Sequence, residues 1–289
     1  MTRFRFVDDH HGDYPVKRCC ELVEVSKSGF YAWRCRPSSD RYLDDAWLAN
    51  DIFDVHEASR CTYGSPRVNG QLRRKGRCHS TKRIARLMAD NDWVGAHSRH
   101  RWRRGRANIA PAPDLLARDF TALNSDERWV ADISEFACVD GKLFLAGIVD
   151  LHDRGIAGWS MGERQITDLV VNALVMALAR RAPDGELIHH ADRGSQYTSL
   201  EFVNRLEDWN VTGSYGSTGD CFDNAAMEST WATIKREIRH IYGPWQNRTR
   251  SELRTILFDY IETFYNRARH QARLDHRTPT EAYAASRAA

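Results

Sequence analysis

The sequence has 289 residues, of which 42% are hydrophobic and 10% aromatic, and its formal net charge is only +3. This length and composition allow a substantial buried core, which excludes an intrinsically disordered protein. The seven cysteines form no CxxC pair and no apolar run approaches the roughly 20 residues of a membrane span, so we expect a cytoplasmic protein without a disulfide framework, zinc ribbon or membrane segment.

Helical patterns dominate the first third of the chain. Apolar residues recur there at helical spacing, and turn-rich stretches separate the segments. Ser80 is a plausible N-cap for the last of these helices. The predicted segments are a helix-turn-helix-like pair over 14–36, followed by helices over 43–57, 67–75 and 80–91.

Basic residues are concentrated in the same part of the chain. From Arg60 to Arg106 there are 14 Lys and Arg residues, opposed only by Asp90 and Asp92. Such an excess favours a polyphosphate partner, with a solvated basic face as the alternative. The candidate phosphate contacts are Lys82, Arg83, Arg86, Arg101, Arg103 and Arg104.

A change in composition marks the next region. Ala, Pro and short polar residues dominate 106–126, which is typical of a connector, and the pattern then alternates between strands and helices. We therefore predict four regions: a helical basic region over 1–107, a linker over 108–126, a catalytic core over 127–242 and a helical C-terminal extension over 243–289.

The predicted core has a mixed α/β order. Three antiparallel strands come first, and helices and shorter strands then alternate before one long helix whose buried stripe contains Met227, Trp231, Ile234 and Ile238. In chain order the elements are strands over 129–138, 142–150 and 155–161, a helix over 169–180, a strand over 187–191, a helix over 199–209, a strand over 211–214 and the long helix over 222–240.

Capping signals predict two further helices in the tail. Thr249 with Glu252 forms a capping-box pattern, and Thr278 with Glu281 forms another, with Pro279 at the first helical position. We interpret both patterns as structural.

Three acidic residues occur where neighbouring strands and one helix can bring them together. Asp132 lies within the first strand, Asp192 directly after the fourth strand, and Glu228 on the flank of the long helix. A carboxylate within an apolar strand loses its hydration, so Asp132 needs a partner or a cation.

The motifs around these acids identify a family resemblance that covers essentially the whole chain. The motifs are YGSPRVNGQLRRKG, WVADISEF, GIVDLHDRGIAGWSM, HHADRGSQYTS, DCFDNAAMESTWATIKREI and YIETFYNRARHQARLDHRTPTEAY. Together they resemble OrfB, the catalytic product of insertion sequences that encode their transposase in two overlapping frames, OrfA and OrfB. The resemblance implies a ribonuclease H-like, retroviral integrase-like core, with a helix-turn-helix-like all-α region before it and a helical tail after it.

The resemblance also implies a catalytic triad of Asp132, Asp192 and Glu228, with 35 residues between the last two. These residues would bind two Mg²⁺ ions, with Mn²⁺ as a substitute, and Asp132 would contact both ions. The implied reaction is nicking at transposon ends followed by strand transfer. The implied partners are double-stranded DNA of the ends and target, OrfA or an OrfA-OrfB fusion, and further copies of the chain on nucleoid DNA.

Several alternatives stay open at this point. His189 and His190 are either ligands or packing residues, and Asn224 and Lys235 either support the metal site and the DNA backbone or face solvent. A ribonuclease H-fold nuclease without strand transfer is the rival enzyme. A DNA-binding regulator is the rival from another class.

Overall fold

The computed structural model describes residues 3–35, 39–97, 122–192, 194–216 and 225–288. The chain divides into two compact units, Met1–Asn50 and Asp51–Ala289. None of the helices in these ranges is both long and apolar enough to cross a lipid bilayer.

The first unit is a small helical cluster around Val7, Cys19, Cys20 and Phe30. The predicted pair over 14–36 is confirmed as two helices, and the second begins at Ser26, whose hydroxyl accepts a hydrogen bond from the Gly29 amide. The first helix was not predicted. The helices are α1 (Arg3–His10), α2 (Val16–Leu22), α3 (Lys27–Arg34) and the beginning of α4 (Asp40–Ala58).

The second unit starts with the remainder of α4 and two short helices, α5 (Ser65–Arg74) and α6 (Thr81–Asp90). The predicted N-cap is confirmed, because the Ser80 hydroxyl accepts from the Arg83 amide. The apolar stripe predicted for this helix is also confirmed, since Ile84, Leu87 and Met88 are buried.

A five-stranded mixed sheet forms the centre of the second unit. The first three strands are antiparallel, as predicted, and the fourth and fifth pair in parallel on the other side of the first, in the order β3-β2-β1-β4-β5. The strands are β1 (Arg128–Cys138), β2 (Gly141–Asp150), β3 (Ile156–Gly162), β4 (Leu187–Ala191) and β5 (Val211–Tyr215).

Helices cover both faces of this sheet. Successive side chains of a strand point to opposite faces, so Trp129 and Ala131 join one core while Val130 and Phe136 join the other. The first core contains α7 (Thr167–Arg181) and α8 (Leu200–Asp208). The second contains α9 (Ala225–Tyr242) and α10 (Arg250–Asp259), and the predicted stripe on α9 is buried in it.

The tail continues from α10 without a break. Residues Tyr260–Tyr265 form a π-helical segment that buries most of its apolar side chains, and α11 (Pro279–Arg287) follows after a loop containing a short 3-10 turn, Ala272–Leu274. Both predicted capping boxes are present, at Thr249 and at Thr278.

A buried ion cluster joins α9 to α5 and to the tail. Glu237 has no exposed surface, and Arg269 donates to both of its carboxylate oxygens at 2.9–3.1 Å. Arg67 donates to one oxygen at 3.1 Å, and the Tyr260 hydroxyl donates to the other at 2.8 Å. Burial raises the pKa of Glu237, but the two guanidinium groups outweigh burial and hold this pKa below its ordinary value.

We expect the change Glu237→Ala to lower the free energy of unfolding by about 3–5 kcal/mol, because the buried Arg269 would lose its counter-charge. Asp208→Ala is the matched control, since Asp208 pairs with Arg205 on the exposed surface and contributes at most about 1 kcal/mol. Denaturant unfolding of both variants measures the difference. Equal losses in the two variants would contradict the structural role of the cluster.

Candidate active site

Asp132 lies on β1, on the face against which α9 packs. Its partner across the antiparallel pair is Gly147, where an added Cβ would lie 2.7 Å from the ring of Trp231. The absence of a side chain at Gly147 lets this indole lie against the strand. Its Nε1–H donates to Asp132 Oδ2 at 2.9 Å, so the partner that the sequence required for Asp132 is an indole from the long helix.

Asp192 follows the last residue of β4, the parallel neighbour of β1. The register pairs Val130 with His190, so Asp132 and Asp192 each lie two residues further along neighbouring strands. Asp192 is exposed, and its Oδ1 accepts a hydrogen bond from the Gly194 amide at 3.0 Å. The parallel pairing therefore puts the first two acids at corresponding positions along neighbouring strands, where β4 ends.

Glu228 lies in the first turn of α9 and is exposed. It precedes Trp231 by three residues, which is just under one helical turn. The contact of Trp231 with Asp132 thus positions the third acid near the other two. Glu228 thus lies within one helical turn of the residue that contacts Asp132, and the assignment of the three acids to one site stays a prediction.

Electrostatic effects support this proximity. The pKa of Asp132 is raised to about 6, mainly by burial and also by the charges of Asp192 and Glu228, while hydrogen bonds from the Ile133 amide and Trp231 act in the opposite direction. The buried Tyr197 has a raised pKa, first through burial and then through the charges of Asp132 and Asp192. The three carboxylates therefore share one electrostatic environment.

The donor chemistry of this environment fits a hard divalent cation, because carboxylate oxygens are the ligands that Mg²⁺ prefers. Burial and the neighbouring negative charges both disfavour the ionised form of Asp132, and a cation would relieve both effects. In the described ranges, no three His, Cys, Asp or Glu side chains are close enough to hold a metal as they stand.

The two histidines before Asp192 have structural surroundings. His190 Nδ1 lies 2.9 Å from the Ser214 hydroxyl, and both groups are buried. His189 packs against Phe202 and Tyr197, and burial lowers its pKa to about 3, so its ring is neutral. These contacts favour the packing interpretation of both residues.

The candidate DNA-contacting residues lie on different elements. Lys82, Arg83 and Arg86 are on α6, where Arg86 also pairs with Asp90 at 3.1 Å. Lys235 is half-buried on α9, with its Nζ 4.9 Å from the centre of the Phe136 ring. The remaining candidates, Arg101, Arg103, Arg104 and Asn224, lie outside the described residues.

Two residues of the site were not predicted from the sequence. Trp231 was assigned only to the apolar stripe of its helix, although its N–H is the contact that connects α9 to Asp132. Gly147 was not singled out in β2. Trp231 could have been found from the sequence, because its indole is at the same end of the long helix as Glu228. Gly147 could not, because its position opposite Asp132 is known only once the register of the sheet is known.

Two family models match the chain. The chain matches a family model described as integrase core domain over residues 123–221 and one described as HTH-like domain over residues 43–101. The second match covers the later group of helices, whereas the helix-turn-helix-like unit is predicted over 14–36. Both models are families of DNA-binding proteins, so the chain is a DNA-binding protein with an integrase core of the ribonuclease H-like fold.

Two solved structures are similar to part of the chain. The HTLV-2 integrase catalytic core domain in complex with magnesium, in its trimeric form, is 15% identical and covers 56% of this chain and 99% of that one, with a TM-score of 0.45. The simian T-cell lymphotropic virus intasome is 15% identical and covers 80% of this chain and 74% of that one, with a TM-score of 0.48.

Two curated relatives match nearly the whole chain. The IS600 uncharacterized 31 kDa protein of Shigella sonnei is 36% identical, over 90% of this chain and 95% of its own. Transposase InsF for insertion sequence IS3A of Escherichia coli (strain K12) is 32% identical, over 93% of this chain and 94% of its own. The chain therefore belongs to the insertion-sequence transposase family that includes InsF of IS3, and it is a transposase of the integrase-core, OrfB type.

Proposed function

We propose that Asp132, Asp192 and Glu228 form the catalytic site at which this transposase nicks transposon ends and joins them to target DNA. The observation that carries the proposal is the raised pKa of Asp132, to which the charges of both other acids contribute. Structural ion networks can also perturb a pKa, but the pKa of Asp132 is raised first by burial and then by the charges of the two other acids, although Lys235 also faces this carboxylate.

Metal dependence is part of the proposal. The three carboxylates would hold two Mg²⁺ ions, with Mn²⁺ as a substitute. Asp132 would contact both ions, because its strand β1 contacts both β4, which precedes Asp192, and α9, which carries Glu228. Such ions, when bound, activate the attacking hydroxyl and stabilise the leaving oxygen of an in-line displacement. The indole of Trp231 holds Asp132 Oδ2 and so fixes the orientation of this carboxylate.

The proposed reaction has two displacements at phosphorus. In the first, a water oxygen bonds to phosphorus at the transposon end, and the bond from phosphorus to the 3′ oxygen breaks, which leaves a free 3′-hydroxyl. In the second, this hydroxyl attacks a phosphodiester of the target, and the target 3′ oxygen leaves. Neither step needs a nucleophile from the protein.

We further propose that the basic residues of the helical region contact DNA phosphates. Lys82, Arg83 and Arg86 lie on α6, whose buried stripe leaves these side chains outside the apolar core. Arg101, Arg103 and Arg104 continue this basic stretch in the sequence, and Lys235 and Asn224 flank Glu228 along the chain. The proposed domain limits are 1–107, 108–126, 127–242 and 243–289, and the proposed location is the nucleoid in the cytoplasm.

The proposed partner is OrfA, either separate or fused to this chain, in a homo-oligomer on the DNA. The resemblance to OrfB supports this partner, because it assigns the main end-reading helix-turn-helix and a dimerising coiled coil to OrfA. The transposase would then use its own basic region for backbone contacts, which carry little sequence information.

We expect the changes Asp132→Asn, Asp192→Asn and Glu228→Gln each to abolish nicking and joining, because each removes a ligand charge at nearly constant volume. Oligonucleotide cleavage and strand-transfer assays with a pre-cut end, supplied with Mg²⁺, measure both activities. Unchanged thermal unfolding is the control for folding. Joining by any one of these purified variants would remove that residue from the proposed site.

We expect the change Trp231→Phe to raise the pKa of Asp132 in the metal-free protein, because the indole N–H stabilises the ionised carboxylate and phenylalanine keeps only the ring. A carboxyl-carbon NMR titration measures this pKa. Trp209→Phe is the control, since Trp209 is 49% exposed and lies after α8. A pKa that stays constant or falls would argue against the role of the hydrogen bond.

We expect this chain alone to bind transposon ends with little sequence discrimination. We expect sequence-specific binding when OrfA is added or when the fusion is used. Gel-shift and joining assays on matched and scrambled end DNA compare the chain alone, the chain with OrfA, and the fusion. A strong preference of the chain alone for true ends, at physiological salt, would place the recognition in its own helical region.

A further inference from the structure

A basic cavity lies between α9 and the loop that follows the π-helical segment. Its volume is about 410 Å³, within the range of about 300–1,000 Å³ that ligand pockets occupy. Four arginines and several hydroxyl groups line it, and no Asp or Glu is among its lining residues in the described part of the chain. The arginines are Arg67, Arg154, Arg269 and Arg273, and the hydroxyl groups include those of Ser229 and Thr233.

Two of the arginines of this cavity share one carboxylate. Arg67 and Arg269 both donate to Glu237, so two guanidinium groups share one negative charge. Arg273 is exposed and lines the same cavity. The cavity is therefore suited to an anion of at least one full charge.

Arg154 adds a nearly buried guanidinium to this site, with 9% of its surface exposed. Burial, and then the charge of Arg273, lowers its pKa to about 10, although Asp150 and Asp153 act in the opposite direction. The two arginines are thus close enough to repel each other. An anion between them would turn this repulsion into attraction.

The loop that carries Arg273 is tightly held against α5. Asp275 and His276 have left-handed backbone angles, with φ of 52° and 60°, and the His276 carbonyl accepts hydrogen bonds from Gln71 Nε2 and Arg74 at 3.0 and 2.6 Å. The His276 ring lies against Gly70, where a Cβ would be 2.0 Å from the imidazole. The backbone of Arg273 is therefore held at the cavity by its own loop, so that only its side chain needs to be ordered by a ligand.

The cavity lies beside the proposed catalytic site on the same helix. Ala225 and Ser229 line the cavity, and Glu228 occupies the neighbouring position in the same turn of α9. Ala225, Ser229 and Ala232 are exposed and small, and helical spacing puts them between Glu228 and the cavity. A polymer backbone can cross the helix closely at these small side chains.

We propose that this cavity binds a backbone phosphate of the DNA strand that passes Glu228, through Arg273 and Arg154 together with the hydroxyls of Ser229 and Thr233. The inference rests on the proposed function, because it requires DNA at the catalytic acids. A phosphodiester carries one negative charge and several acceptor oxygens, which matches guanidinium and hydroxyl donors. Contact at this point would fix the position of the strand without reading its sequence.

The first test is the salt dependence of DNA binding by the full chain, measured by fluorescence anisotropy on a transposon-end duplex without metal. We expect Arg273→Ala to weaken binding by about threefold to tenfold and to reduce the slope of log affinity against log salt by about one unit. Arg273→Lys should recover most of the affinity. Arg205→Ala, an exposed arginine on α8, should keep the wild-type slope.

The second test assigns the contact to one phosphate. Duplexes with a single neutral methylphosphonate are scanned along both strands near the cut, and we expect one position to weaken the wild type but not Arg273→Ala. Inorganic phosphate is added as a competitor in a parallel series, to distinguish a site for free phosphate from a site for DNA.

The outcomes separate the two proposals. A wild-type slope and an unchanged methylphosphonate pattern in a folded Arg273→Ala protein would overturn the cavity assignment, and so would a cavity that binds inorganic phosphate with no effect on DNA affinity. Either result would leave the catalytic proposal intact if the triad variants still lose joining. Joining by the triad variants would overturn the catalytic site whatever the slope of Arg273→Ala.

Discussion

A carboxylate with no solvent contact, Glu237, lies nine residues after Glu228 on α9, which is two and a half helical turns. Its partners come from α5 and from the tail, so one negative charge connects three distant parts of the chain. Removing such a charge from water is costly unless every oxygen is paired, and here both oxygens are. The position of α9 on the sheet, and therefore of Glu228 and of the floor of the basic cavity, depends on this arrangement.

The π-helical segment supplies the tail's part of this connection. A π-helical turn is wider than an α-helical turn and is often found near functional sites. Here Tyr260 reaches Glu237 at one end of the segment, while the Tyr265 hydroxyl donates to the Arg154 carbonyl at the other. Glu262 between them accepts from Trp159 Nε1 and from Arg180, which ties the segment to β3 and α7. The tail therefore contacts both faces of the catalytic core.

Local patterns predicted much of this fold. Strand alternation and helical stripes located the five strands and α4 to α9 within a few residues, and the cost of a buried charge pointed to Asp132 before any contact was known. Contacts between distant residues were not predictable in the same way. Arg67 and Glu237 are 170 positions apart, and neither has a local pattern that indicates the other. The first helix was missed because it is short and buries only Val7.

The packing of the His276 ring against Gly70 affects folding during synthesis. Domains usually fold from the N-terminus as the ribosome delivers the chain. In this transposase α5 emerges early. The loop that packs on α5, and Arg269, which balances the charge of Glu237, emerge about 200 residues later. The nascent core therefore lacks Tyr260 and Arg269, two of the three residues that donate to Glu237, until the tail is synthesised. The position of α9 on the sheet, and with it that of Glu228, would then become fixed only after synthesis has passed this loop.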